Sequence, residues 1–289
     1  MLATAWVLAV IVRSFRRPQP LRQRLKAGLI RFFQIGTIGF AVFLCTWGFG
    51  YRQTPVEVRW GFDQVTPQRD DADALTTALL PILSAPPKPA ARDRERALAS
   101  IRTAMQRIVE HHDGYSPAVP AHLKRLPPGT LMTFGVTGIA SPFLLEANID
   151  GGLPEVDQIG VGAHELAHAV GYCGEADADL LGVTACFDSG DRYAAYCGAM
   201  RALRWLLREV HPIRKMAILR SLPEATLTDL DAQSRAVKRH RSKSLSKVSN
   251  VIYDGYLKSQ GVKRGRGDYA RAAELWVSAW RAGILQVPN

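Results

Sequence analysis

Between Arg31 and Arg52 the chain carries no charged side chain, and the segment Ala27 to Gly50 reads AGLIRFFQIGTIGFAVFLCTWGFG. An apolar run of this length can cross a bilayer as a helix, which needs about 20 residues and satisfies its backbone groups internally. Arg13, Arg16, Arg17, Arg22, Arg24, Lys26 and Arg31 precede or open it with no acidic residue among them. Basic residues on one flank hold that flank in the cytoplasm. Residues 13–26 therefore read as a basic cytoplasmic loop, 27–50 as a transmembrane helix, and 51–289 as a domain outside the cytoplasm, with Trp47, Phe49 and Tyr51 suited to the far interface. A cleaved signal peptide needs a shorter core and a small-residue cleavage site. The residues after the core, WGFGYRQTP, offer no such site, which favours an uncleaved anchor. Leu2 to Val12 is apolar but too short for a full span; residues 1–12 read as a possible partial transmembrane segment, giving one or two membrane helices.

The formal net charge of +11 raises nucleic acid as a partner. The excess sits in the cluster before the apolar run and in Lys238, Arg239, Arg241, Lys243 and Lys247, extended by Lys258, Lys263, Arg264 and Arg266. Few aromatics interleave there and no nucleic-acid motif appears, so a solvated basic face or contact with anionic lipid headgroups is favoured over nucleic acid. Of the four cysteines, Cys45 lies in the apolar run and Cys173, Cys186 and Cys197 lie later, none in a CxxC pair. A zinc-thiolate site is disfavoured. Buried free thiols are preferred, with pairing of two of the last three left open.

Residues 52 to about 92 read as a connector containing a helix, ended by the prolines of SAPPKPAA at positions 84–91. A charged, alanine-rich helix follows from Arg92 to His111. After a proline- and glycine-rich passage from Pro117 to Gly129, the runs LMTFGV and FLLEANI read as two strands of a small sheet. From Val156 the pattern is helical, with amphipathic stretches at Tyr193–Val210, Ser246–Gln260 and Tyr269–Ala282, and there is no internal repeat.

The chemistry-bearing stretch is HELAHAVGYCGEADADLLG, His164 to Gly182. On a helix, His164 and His168 stand one turn apart on one face, so both imidazoles can bind one cation while Glu165 stands beside them to handle a water's proton. A hydrolytic zinc site needs three protein ligands and an open fourth position. Gly171 ends that helix, and a second one begins with Glu175 and Asp179 one turn apart. Folded back beside the first, it brings Glu175 to the metal as third ligand and lets Asp179 accept the N–H of a ligating histidine. The alternative for both acids is favourable charge at a helix N-terminus. Asp177 is a rival third ligand, but it points about 200° around the helix from Glu175, which favours Glu175.

HExxH followed by Glu175-Ala176-Asp177-Ala178-Asp179 resembles the glutamate-zincin peptidases, HtpX-like membrane peptidases among them, in which the first glutamate of the second motif binds zinc. The chain is more similar still to an uncharacterised bacterial family of membrane-anchored HExxH proteins. That likeness rests on WGFGYR at Trp47–Arg52, SPFLLEANID at Ser141–Asp150, HELAH with Gly171 and the acidic motif, and YDGYLKSQG at Tyr253–Gly261. It departs at the second motif, where the family tends to show E-D-E-A-N. The resemblance implies an α+β, helix-dominated, zincin-like catalytic domain with a small sheet, held at the bacterial inner membrane. Its cofactor would be Zn2+, its ligands His164, His168 and Glu175, its general base Glu165, and its substrate a peptide or protein. In zincins a strand beside the metal pairs with the substrate; the run Phe143–Ile149, presenting Glu146 and Asn148 on one face, is the candidate, against a bland role as solvent-facing residues. Tyr193, Tyr196 and His211 are candidate oxyanion donors, though tyrosines on an amphipathic helix more often pack. The competing function is a catalytically idle zinc-binding membrane receptor or scaffold, against which Glu165 argues because a structural site has no use for a base.

Topology has a direct test. A reporter active only outside the cytoplasm, fused after residue 60, is expected to be active; an inactive fusion, with a cytoplasmic reporter active in its place, reverses the orientation.

Overall fold

A computed structural model describes residues 20–68, 70–141, 143–259 and 268–288. The expected partial segment at 1–12, the basic residues at 13–17 and those at 263–266 lie outside the described residues.

The apolar run forms helix α1, Leu21–Thr46. Its stretch Leu25–Thr46 is long and apolar enough to cross a membrane, and its most apolar window is not buried against the rest of the chain. The helix stops four residues before the expected Gly50. Trp47 leaves the helical conformation at φ −145° and the chain continues as a short 3-10 turn, Gly48–Arg52. The reason is packing: Trp47 is buried with Ala140 and Cys173, and Phe43 and Tyr51 lean on the same cluster. Of the three aromatics expected to face the membrane interface, only Phe49 is well exposed.

A single turn α2, Val56–Arg59, and helix α3, Asp71–Ser84, make up the connector. The proline run separates α3 from α4, Arg94–Asp113, as the sequence requires. Helix α4 is capped by Asp93, which accepts the amide of Arg96, and ended by Gly114 at φ +71°. Its apolar stripe Leu98, Ile101, Met105 and Val109 is buried.

The sheet has three strands: β1, Lys124–Leu126; β2, Gly138–Ser141; and β3, Glu146–Asp150. The order is β1-β3-β2, with β1 parallel and β2 antiparallel to β3. Only the second of the two expected strands forms, and only over Glu146–Asp150. LMTFGV instead makes a 3-10 turn at Met132–Phe134. The Asp150 carboxylate explains this, because it accepts the amides of Gly129 and Leu131 at 2.8 Å, Met132 at 3.0 Å and Gly152 at 2.9 Å. Amides gathered around one carboxylate cannot also serve a strand ladder. Those four bonds also hold the Asp150 carboxyl below its ordinary range against the opposing effect of burial.

Helix α5, Glu155–Ala169, carries HExxH through the centre of the domain, and every residue from Val156 to Ala169 is buried. It packs on β2 and β3 on one side and on α4, α6 and α7 on others. The remaining helices are α6, Glu175–Phe187; α7, Arg192–Glu209; α8, Pro212–Ser221; α9, Glu224–His240; α10, Lys243–Ser259; and α11, Asp268–Arg281. The described residues are thus helix-dominated with a small sheet, as read from the sequence, though the sheet has three strands rather than the two expected.

Helices α5 and α6 meet most closely at Gly182, where an added Cβ would lie 3.1 Å from the backbone at Ala163 and His164. Alanine is better than glycine in a helix by about 1 kcal/mol, whereas overpacking a core costs about 1–3 kcal/mol. At Gly39 of α1 a Cβ would meet nothing within 4 Å. Gly182→Ala is therefore expected to lower the thermal unfolding midpoint and Gly39→Ala to leave it level or raise it; a stabilising Gly182→Ala contradicts the tight crossing.

Candidate metal centre

Helix α5 ends where its sequence says it should. Gly171 takes φ +105°, and the chain turns so that α6 runs back beside α5. The turn brings His164 Nε2 to 3.2 Å and His168 Nε2 to 3.5 Å from Glu175 Oε2. These three atoms form a cluster able to hold one metal ion, and all three residues are buried.

The orientation of each ring is fixed from behind. His168 Nδ1 lies 2.6 Å from the Tyr172 carbonyl oxygen, to which it donates. His164 Nδ1 lies 3.0 Å from Asp179 Oδ1. With each Nδ1–H directed to an acceptor, each neutral ring turns the lone pair of Nε2 inward. Glu175 Oε1 accepts the hydroxyl of Tyr253 from α10, while Oε2 is buried with no well-formed hydrogen bond. Three acceptors then face one another, and they repel unless a positive charge stands among them. Tetrahedral ligands at about 2.0–2.1 Å from a cation sit about 3.3 Å apart, close to the spacings at Glu175, so the residues fit a metal of that size.

A model of the family described as a protein of unknown function, DUF3810, matches residues 1–277. The chain belongs to that family. No curated protein and no solved structure matches it.

In this DUF3810 member the charges packed behind and beside the cluster govern its titration. Burial disfavours the His164 imidazolium, but the Asp179 charge outweighs it and lifts His164 to about 10. Burial likewise works against the Glu175 carboxylate, yet His168 and His164, close beside it, hold it well below the usual carboxylate range. Asp179 is also lowered despite complete burial, because Arg201 of α7 donates from Nε at 2.5 Å and His164 adds its own bond. Glu165 differs from these. Its carboxyl is raised by burial, which the two neighbouring imidazoles only partly oppose.

The expected ligands His164, His168 and Glu175, with Glu165 beside them and Asp179 behind, are thus brought together. Asp177 is not among them; its carboxylate faces Arg271 at 3.3 Å. The run Phe143–Ile149 does not have the expected free edge. Glu146 and Asn148 lie on β3, the central strand, whose two edges are already paired. Glu146 pairs with Lys124 at 2.6 Å, and Asn148 donates to the carbonyls of Ile139 and Glu146. The strand beside the site is β2: an added Cβ at Gly138 would strike the Glu165 carboxylate, and the outer edge of β2 has no strand partner among the described residues. Nor do the expected donors reach the metal cluster. The Tyr193 ring lies under Arg92, Tyr196 donates to Asp229 at 2.9 Å, and His211 caps its own helix. The three later cysteines are buried and free.

Sequence reasoning missed Tyr253, Arg201, Trp47 and Tyr172. Trp47 lies against His168 with ring centroids 5.6 Å apart. The Tyr172 hydroxyl donates to Asp113, which Arg59 pairs at 2.9 Å, so α2 and α4 fix the carbonyl that orients His168. Tyr253 and Trp47 had one signal, their places in the YDGYLKSQG and WGFGYR stretches, and Tyr172 lies four residues past His168; Arg201 had none, because its partner Asp179 is 22 positions away on another helix.

The purified protein is expected to bind about one divalent metal per chain by elemental analysis. His164→Ala, His168→Ala or Glu175→Ala should remove most of it, and Asp179→Ala should weaken binding by roughly 10- to 100-fold. Metal lost with Asp177→Ala and kept with Glu175→Ala overturns this ligand set.

Proposed function

We propose that the protein is a membrane-anchored zinc-dependent endopeptidase of the zincin type, with its catalytic domain outside the cytoplasm. The observation that carries this is the convergence of two imidazoles and one carboxylate with the Glu165 carboxyl buried alongside them. A structural zinc site normally fills its fourth position with protein, whereas His2Glu with an adjacent carboxylate is the donor set of hydrolytic sites. Zinc, held by His164, His168 and Glu175, would acidify a water and polarise a substrate carbonyl.

The chain's own residues do the remaining work. Glu165 takes the water's proton and delivers it to the leaving amine. Its raised pKa suits both halves of that task, since a base poised nearer neutrality also returns the proton readily. Asp179, fixed by Arg201, and the Tyr172 carbonyl keep the two rings in the tautomer that leaves Nε2 free. Tyr253 brings an O–H donor against the ligand cluster and takes the oxyanion role first expected of Tyr193, Tyr196 or His211. The outer edge of β2 offers backbone groups to an extended substrate, and glycine at 138 leaves the Glu165 carboxylate room against that strand.

Glu165→Gln keeps the side-chain shape but cannot act as a base. At equal metal content it should hydrolyse an unstructured protein about 10²- to 10⁴-fold more slowly than the parent. Tyr253→Phe should retain metal, lower kcat by about 100-fold and leave KM within about twofold. Equal cleavage by parent and Glu165→Gln removes Glu165 from the mechanism. A metal-loaded parent that cleaves nothing in a broad protein mixture turns the assignment toward the idle receptor or scaffold.

A further inference from the structure

The turn between β2 and β3 places three large apolar side chains in succession on the surface: Phe143, 55% exposed, Leu144, 67%, and Leu145, 44%. Single exposed leucines are ordinary, but a run of three at the apex of a hairpin exposes a continuous apolar surface that water does not favour. What lies beside it indicates what covers it. Phe143 packs on Phe43 with ring centroids 6.4 Å apart, and Phe43 belongs to the last turn of the stretch Leu25–Thr46 that is able to cross a membrane. At 1.5 Å per residue, Phe43 sits about 4.5 Å below the end of α1. The apex therefore stands level with the end of the membrane span, the depth at which interfacial side chains enter a bilayer.

The backbone of the apex is prepared for an apolar medium as well. Leu145 donates its amide to the Ser141 carbonyl at 2.8 Å and Leu144 donates to Ser141 Oγ at 3.3 Å. Pro142 has no amide to satisfy. Backbone donors must find internal partners where water is excluded, and for Leu144 and Leu145 these are supplied within the turn. Leu145 holds φ +51° to make that turn, a conformation that leucine adopts at a cost.

We propose that Phe143, Leu144 and Leu145 insert into the leaflet in which α1 ends, so that the domain sits on the bilayer through a helix and a hairpin tip. One consequence concerns substrate and rests on the peptidase reading. From Ser141 to Gly138, β2 climbs about 10 Å from the apex to Glu165. A strand added to its outer edge would then leave the membrane within a few residues of the scissile bond, which points to polypeptides anchored in the same bilayer as the substrate class.

The test uses the full chain in phosphatidylcholine–phosphatidylglycerol vesicles with the exposed native thiol removed as Cys45→Ser. An environment-sensitive fluorophore is attached at Leu144→Cys or, in a second preparation, Leu145→Cys, and quenched by lipids carrying spin labels on their chains. Phe40→Cys in α1 is the membrane reference. Ala99→Cys, on the exposed face of α4, is the aqueous one. Quenching at the hairpin at least threefold above that at Ala99→Cys supports insertion. Quenching at Phe40→Cys with neither hairpin position above Ala99→Cys overturns it. No quenching at Phe40→Cys overturns the anchor and the insertion together. None of these readouts depends on metal or turnover, so the peptidase assignment stands or falls separately.

Discussion

Two neutral imidazoles and a carboxylate, buried and turned toward a single point, repel one another unless a positive charge stands among them. Much of the domain exists to hold that unfavourable arrangement in place. Arg201 keeps Asp179 ionised at complete burial, Asp179 and the Tyr172 carbonyl turn the rings, and Tyr253 donates its hydroxyl to Glu175 Oε1. Each of these partners comes from a different element, so the cluster cannot assemble until α5, α6, α7 and α10 have packed. The Asp179 charge outweighs burial at His164 and lifts that imidazole to about 10.

The same economy extends to the apolar helix. Its end does not project into an interface but turns inward, burying Trp47 against His168 and the β2 residue Ala140. The site is walled in part by the end of the helix long and apolar enough to cross a membrane, and β2 links that wall to the Glu165 carboxylate. The apolar helix and the candidate site are therefore one packing unit, and the hairpin tip proposed to enter the bilayer is the far end of the strand that borders Glu165.

Several features were legible because they depend on neighbours in sequence. HExxH places its histidines on one face by helical periodicity alone, Gly171 signals the turn, and Glu175 with Asp179 repeats the one-turn spacing on the next helix. The end helices and the long apolar helix follow from apolar patterning. The sheet was less legible for a physical reason: Asp150 draws in the amides of Gly129, Leu131 and Met132, and no local pattern reports a carboxylate about 20 residues away. The strand order was equally hidden, which is why Glu146 and Asn148 were placed on an edge that β1 and β2 already occupy.

The sequence by itself determined the identity and spacing of the candidate ligands, the helix pair that carries them and the apolar run before it, since all three are properties of residues within a turn or two of one another. Tertiary structure alone decided which strand borders the site, that Arg201 and Tyr253 attend its carboxylates, that Tyr193, Tyr196 and His211 do not take part, and that Trp47 closes one side. Those are contacts between residues tens to more than a hundred positions apart, and their geometry is set by how α1, β2, α7 and α10 pack around α5, which no local periodicity encodes.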